Sequence, residues 1–248
     1  MAKVRAYYDD GSLAASNIDD QRNASHAGIN VHAQYDLVDG TIYGNHTFEM
    51  KVNQNLEIPV EISNFDSGLN DVLFVIVKNS NITSLDNEYR ASTDMNHLLF
   101  IRFNVANDND LSPKYNITKF KAKNSNILDG VFISKTEDNL QRWLSEKTSP
   151  EKSINYFIDV GNVRSDAQSY ALITLFDWKQ IKIDSKNDVL FFQLDKNKQI
   201  TIPAAFRTPS KPNIYDLTSI LIYNPYTKLD MYNRTVETPI RVGINVVK

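Results

Sequence analysis

The segment Leu56-Glu57-Ile58-Pro59-Val60-Glu61-Ile62-Ser63-Asn64 is answered 98 residues later by Ile154-Asn155-Tyr156-Phe157-Ile158-Asp159-Val160-Gly161-Asn162. Self-similarity at a fixed offset constrains a fold more tightly than any isolated motif, because each copy must build the same supersecondary unit. The match continues downstream. Leu73, Val75 and Val77 correspond to Ala171, Ile173 and Leu175, and Leu98 to Phe103 corresponds to Val189 to Leu194. Tyr115-Asn116-Ile117-Thr118 corresponds to Tyr215-Asp216-Leu217-Thr218. The offset falls to 91 at Leu98 and returns to 100 at Tyr115, which places length changes in the loops between strands.

The repeated segments read as β-strands. Leu56, Ile58, Val60 and Ile62 alternate with Glu57, Pro59 and Glu61, a period of two that buries one face and wets the other. Pro59 lacks a ladder donor and points to an edge or a bulge. Asp71 to Lys78 and Tyr170 to Phe176 are instead nearly continuous in apolar residues, as a strand near the middle of a sandwich requires. The second copy closes with Tyr215 to Tyr223, a turn at Asn224-Pro225 and a last alternating strand through Ile240, Val242, Ile244 and Val246. Val131 to Ser134, entered from Asp129-Gly130, is the equivalent closing strand expected for the first copy. Between the copies, Leu140, Trp143 and Leu144 have helical spacing behind acidic first-turn residues, which predicts a linker helix over Glu137 to Lys147, stopped by Pro150.

The expected fold is therefore all-β, with two tandem β-sandwich domains joined by a short linker helix. An N-terminal extension over residues 1–41, partly loop and with room for one strand added to the first domain, precedes a first sandwich at 42–135. The helix occupies 136–149 and the second sandwich 150–248. At 248 residues, with 42% apolar and 10% aromatic residues, each copy can build its own core.

Short strands in this number, with a tyrosine opening the penultimate strand, resemble immunoglobulin-like or fibronectin-like sandwiches. The resemblance implies that Tyr115 and Tyr215 form tyrosine corners, each hydroxyl bonding a backbone group a few residues upstream. The chain has no cysteine, so the inter-sheet disulfide of antibody domains is missing, and disulfides, thiol catalysis and thiolate metal sites are excluded together.

Basic residues number 27 and acidic ones 30, for a net charge of −3, with no Lys/Arg stripe to neutralise phosphates. Nucleic acid is not an expected partner. No apolar run reaches the roughly 20 residues needed to cross a bilayer, and Met1 to Asp10 lacks the apolar core of a signal peptide. No serine sits in a Gly-x-Ser-x-Gly or Ser-x-x-Lys setting, and the eight glycines form no phosphate loop. His26, His32, His46 and His97 fit no metal spacing. Hard oxygen ligands are concentrated at Asp66 and Asp71 and at Asp108 and Asp110, weak calcium candidates whose Asn/Asp content equally suits turns.

Aromatic side chains are the remaining route to a binding surface. Tyr223, Tyr226 and Tyr232 crowd the last turn region, and Trp178 follows an apolar strand directly. Trp143 is expected to anchor the linker helix. The resulting expectation is a non-catalytic structural, adhesive or assembly protein of a bacterial cell surface or secreted complex. It needs no cofactor, meets a protein or polysaccharide surface, and has a capacity for self-assembly. A carbohydrate-binding module pair using Trp178, Tyr223, Tyr226 and Tyr232, or a phage virion structural protein, is the alternative. An extracellular or cell-surface location goes with the first reading, although this chain shows no signal peptide.

Overall fold

The computed structural model describes residues 2–4, 29–37, 42–50, 58–60, 68–78, 85, 98–106, 115–126, 129–137, 143–184, 186–228 and 238–248. The strands in this part are, from the N-terminus, β1 (Ala2–Val4), β2 (Ile29–Leu37), β3 (Ile42–Met50), β4 (Ile58–Val60), β5 (Leu69–Lys78) and β6 (Leu98–Ala106). They continue as β7 (Lys123–Asn124), β8 (Gly130–Ser134), β9 (Ser145–Thr148), β10 (Ser153–Asn162) and β11 (Gln168–Phe176). The series ends with β12 (Lys179–Ile181), β13 (Val189–Leu194), β14 (Lys198–Arg207), β15 (Asn213–Tyr223) and β16 (Thr238–Val246). Among the described residues no helix is present, and the all-β class holds.

The strands form four open sheets. One is the pair β1-β4, a second runs β3-β2-β5-β6, and a third runs β7-β14-β10-β8. The fourth runs β12-β11-β15-β16-β9, with β13 beside β12 along the same strand, β11. Pairing is antiparallel throughout except between β9 and β16.

Alternate side chains of this fourth sheet serve two different cores. Tyr170 and Leu172 of β11, with Leu217, Leu221 and Tyr223 of β15, pack against Ile154, Tyr156, Ile158 and Val160 of β10 and Ile200 and Ile202 of β14. Ala171, Ile173 and Leu175, with Ile220 and Ile222, pack against Leu73, Val75 and Val77 of β5. The β11 sheet is thus a middle layer with a sheet on each side. That explains why Tyr170 to Phe176 is apolar without alternation, since a strand covered on both faces has no wet side. Burial of one such aliphatic side chain contributes about 1.5–3 kcal/mol relative to exposure. The polar exceptions are paired: Thr174 and Ser219, opposite each other on β11 and β15, share a hydroxyl–hydroxyl bond of 3.0 Å.

The helix predicted over Glu137 to Lys147 is replaced, in its described part, by other structure. Glu137 lies in a turn, Trp143 and Leu144 have no regular structure, and Ser145–Thr148 is the strand β9; residues 138–142 lie outside the described residues. The physical reason is competition. A helix of about three turns is marginal by itself, whereas β16 offers an open edge whose backbone groups need partners. Gly243 N–H donates to the Leu144 carbonyl at 3.1 Å and Val247 N–H to that of Thr148 at 2.9 Å. Trp143 is buried, but against Tyr156 of β10 at 5.7 Å between ring centroids rather than on a helix stripe.

Val131–Ser134, read as the closing strand of the first copy, is β8, and it pairs with β10 of the second, Val131 opposite Val160. The repeat match at β6 also slips. Phe100 stands opposite Val75, while Val189 stands opposite Ile173, the counterpart of Val75. By pairing, the offset there is 189 − 100 = 89 rather than 91. A slip of two keeps every side chain on its face.

Candidate functional site

The densest polar arrangement among the described residues forms where the turn after β15 meets β5 and β6. Asn224 and Tyr226 both have positive φ, 45° and 54°, a conformation Asn adopts readily and Tyr at a cost. The turn is held from two sides. Toward β11, Asn224 N–H donates to the Ser169 carbonyl at 2.7 Å, and its side-chain amide donates to Gln168 Oε1 at 3.0 Å. Toward β5 and β6, Arg102 donates from Nη1 to the Tyr223 carbonyl at 2.5 Å and from Nη2 to the Asn224 carbonyl at 2.7 Å.

Asp71 completes the clamp. Its Oδ2 accepts from Arg102 Nη2 at 2.7 Å and from the Tyr226 backbone N–H at 2.6 Å, and its Oδ1 accepts from the Asn104 amide. The ladder explains the meeting: Asp71 is opposite Asn104 and Leu73 is opposite Arg102, so all three polar side chains reach the face turned to β15. Asp71 is 1% exposed. Burial raises its pKa above the ordinary aspartate value, against the lowering effect of the Arg102 charge and of the donated hydrogen bonds. Tyr226 then lays its ring on Tyr115 at 5.4 Å between centroids, and Tyr115 stacks on Phe191 at 4.3 Å. Burial, and secondarily the Asp71 charge, push the Tyr115 hydroxyl pKa up.

A second buried ion pair lies elsewhere on β15 and β16. Arg241 Nε donates to Asp216 Oδ2 at 2.7 Å, and Nη2 pairs with the same oxygen. The guanidinium carbon is 5.1 Å from the Trp178 ring centre. Trp178 is held in the two-residue turn between β11 and β12, where Asp177 and Trp178 have φ of 49° and 64°. Both positive values are what a primed hairpin turn needs. A bulky side chain there carries strain that its packing must offset.

The sequence candidates distribute unevenly over this geometry. Tyr226 belongs to the clamp. Tyr223 is 2% exposed, with the Arg164 guanidinium 4.2 Å over its ring, and Trp178 is 5% exposed. Neither turns a free face outward, because both serve the two cores. Of the calcium candidates, Asp71 faces inward with its oxygens occupied by donors, while Asp66, Asp108 and Asp110 lie outside the described residues, as does Tyr232. Among the described residues no group of three or more His, Asp or Glu is placed to hold a metal ion. His32 is opposite Thr47 and His46 opposite Ala33, so these two are not cross-strand partners; His26 and His97 lie outside the described residues.

The two tyrosines singled out for corners behave differently. The Tyr215 hydroxyl donates to the Lys211 carbonyl, four residues upstream, at 2.7 Å. Tyr115 opens no strand. Residues 115–122 have no regular structure, and Thr118 N–H donates to the Phe191 carbonyl at 2.7 Å, so this stretch runs along the second copy and the Tyr115 ring stacks instead of capping a turn. Sequence reasoning missed Arg102, Asn104, Asp216 and Arg241. The available signal was a charged or amide side chain inside an otherwise apolar strand, which points to a buried partner only once the second covering sheet is known.

No family model matches this chain, and no curated protein matches it. Solved structures with partial likeness include the CARDB domain of the PF1109 protein from Pyrococcus furiosus, described in complex with di-metal ions. It shares 12% identity and a TM-score of 0.34 over 48% of this chain and 93% of that one. A family 123 glycoside hydrolase from Clostridium perfringens shares 14% identity and a TM-score of 0.32, over 48% of this chain and 27% of its own. The metal ions and the glycan hydrolysis belong to those proteins.

Proposed function

We propose that this chain is a non-catalytic structural or adhesive component of an assembly, built from two immunoglobulin-like sandwich copies and working at a bacterial cell surface or in a secreted complex. The observation that carries the reading is where its reactive side chains are spent. Asp71, Arg102, Asn104, Asp216 and Arg241 are committed to tying strands and turns together, and Trp178 and Tyr223 fill cores. A chain that invests buried charge in cross-layer ties gains a defined mutual placement of its sheets, which suits a part that transmits position or load. The partner expected is a protein surface, its own kind included.

The test is a paired binding and assembly measurement on the full chain. Analytical ultracentrifugation across a wide concentration range is expected to show self-association, and a glycan array is expected to be blank. Glycan binding that vanishes in Tyr226→Ala would overturn the reading in favour of a carbohydrate-binding pair.

A further inference from the structure

The second core is lined in part by residues that are one another's repeat counterparts, with Trp178, Ile220 and Ile222 completing it. Leu73, Val75 and Val77 of β5 share one buried cluster with Ala171, Ile173 and Leu175 of β11, the positions that the 98-residue offset matches. The neighbouring strands follow suit, since Leu98 and Phe100 of β6 and Val189 and Phe191 of β13 pack against the same cluster. Each copy presents the same face of the same two paired strands, β5 with β6 and β11 with β13. Mutual burial of equivalent patches is the signature of a two-fold, isologous contact between subunits. Here both halves of such a contact lie in a single chain.

We infer that a second copy of this chain is the partner these faces fit, by reciprocal exchange: the β5 sheet of one chain seats on the β11 sheet of another, and the reverse contact closes the dimer. This rests on the assembly reading above and names its partner. Two features favour it. The clamp from Arg102 and Asp71 to the Tyr223–Tyr226 turn gives the contact a fixed register whichever chain supplies the turn. Leaving the contact exposes the apolar cluster and unpairs a buried charge, so an exchanged dimer, once formed, is slow to reopen. The internal contact competes with an effective concentration on the order of millimolar. Exchange therefore becomes visible after unfolding and refolding at high protein concentration, and is sparse after refolding at micromolar levels.

The absence of cysteine makes the test clean. Full-length Phe100→Cys and Val189→Cys variants, each with one thiol, are unfolded together, refolded at low and at high concentration, and treated with a short bis-maleimide. A Phe100→Cys/Val189→Cys double variant, refolded dilute, sets the yield of the internal link. The expected result is a covalent heterodimer of the two single variants whose yield rises with refolding concentration, alongside a species of twice the monomer mass by light scattering. Self-association without the 100-to-189 interchain link would overturn the exchange while leaving the assembly reading standing. A chain that stays monomeric after refolding at every concentration, with the internal link intact, would overturn both.

Discussion

Asp71 shows how a single residue can be costly and indispensable at once. Taking a carboxylate out of water is expensive, and the attraction of Arg102 does not fully offset it, which is why its pKa lies above the ordinary value. Removing it alone is worse, because Arg102 then loses its buried counter-ion and the Tyr226 N–H its acceptor; Asp71→Ala is expected to cost about 3–5 kcal/mol in urea unfolding. The pH dependence follows in sign. With a folded pKa above the ordinary aspartate value, the folded state holds more protons than the unfolded chain in the window between the two values. This group's contribution to stability therefore falls as pH rises through that window. Urea midpoints from pH 4 to 7 should show the wild type losing ground against Asp71→Asn as pH increases; a widening advantage would mean that the attraction of Arg102 outweighs burial. Tyr215 poses the simpler case of one hydroxyl and one carbonyl. Tyr215→Phe is expected to lose about 1 kcal/mol by calorimetry, and a value indistinguishable from zero would mean the bond contributes nothing. The Tyr215 corner was legible because its donor and acceptor lie within one short stretch. Arg102's role was not, since two of its acceptors, the Tyr223 and Asn224 carbonyls, are more than 120 residues away.

At the scale of elements, β10 carries the alternation that the repeat announced. Ile154, Tyr156, Ile158 and Val160 are buried while Ser153 and Asn155 are exposed. Ile158→Ala is expected to cost about 2–5 kcal/mol and Asn155→Ala less than about 1 kcal/mol, both read from chemical denaturation; equal losses would contradict the face assignment. Strand existence was legible wherever local pattern and burial agree, as in β10, β13 and β16. It failed at Ser145–Thr148, where three apolar residues at helical spacing were outweighed by the open edge of β16, a partner nearly 100 residues further along. At β8 the strand was legible but its sheet was not, since its pattern is compatible with either copy and pairing with β10 settled it.

At the scale of the whole molecule, the β11 sheet belongs to two cores at once. Its strands cannot be lost from one without stripping the other, so the layers should unfold together. The two tryptophans report on this separately, Trp143 from the core shared with β10 and Trp178 from the core shared with β5. Fluorescence of Trp143→Phe and Trp178→Phe variants, corrected for each variant's own stability change, is expected to give coincident urea transitions. Two separated midpoints would show that the layers are independent.

Sequence alone determined the all-β class, the existence of strands such as β5, β11 and β16, the inward residues of β10 and the hydrogen-bonded tyrosine at Tyr215, because each is written in spacings of a few residues. Tertiary structure decided the rest. It determined that the β11 sheet is covered on both faces, that β8 and β9 join sheets of the second copy, and that Asp71, Arg102 and the Tyr223–Tyr226 turn form one clamp. A run of apolar residues states that a strand is buried but not by what, and a charge inside a strand states nothing about its counterion. Those answers depend on contacts between segments far apart in the chain, made only when the sheets close on each other.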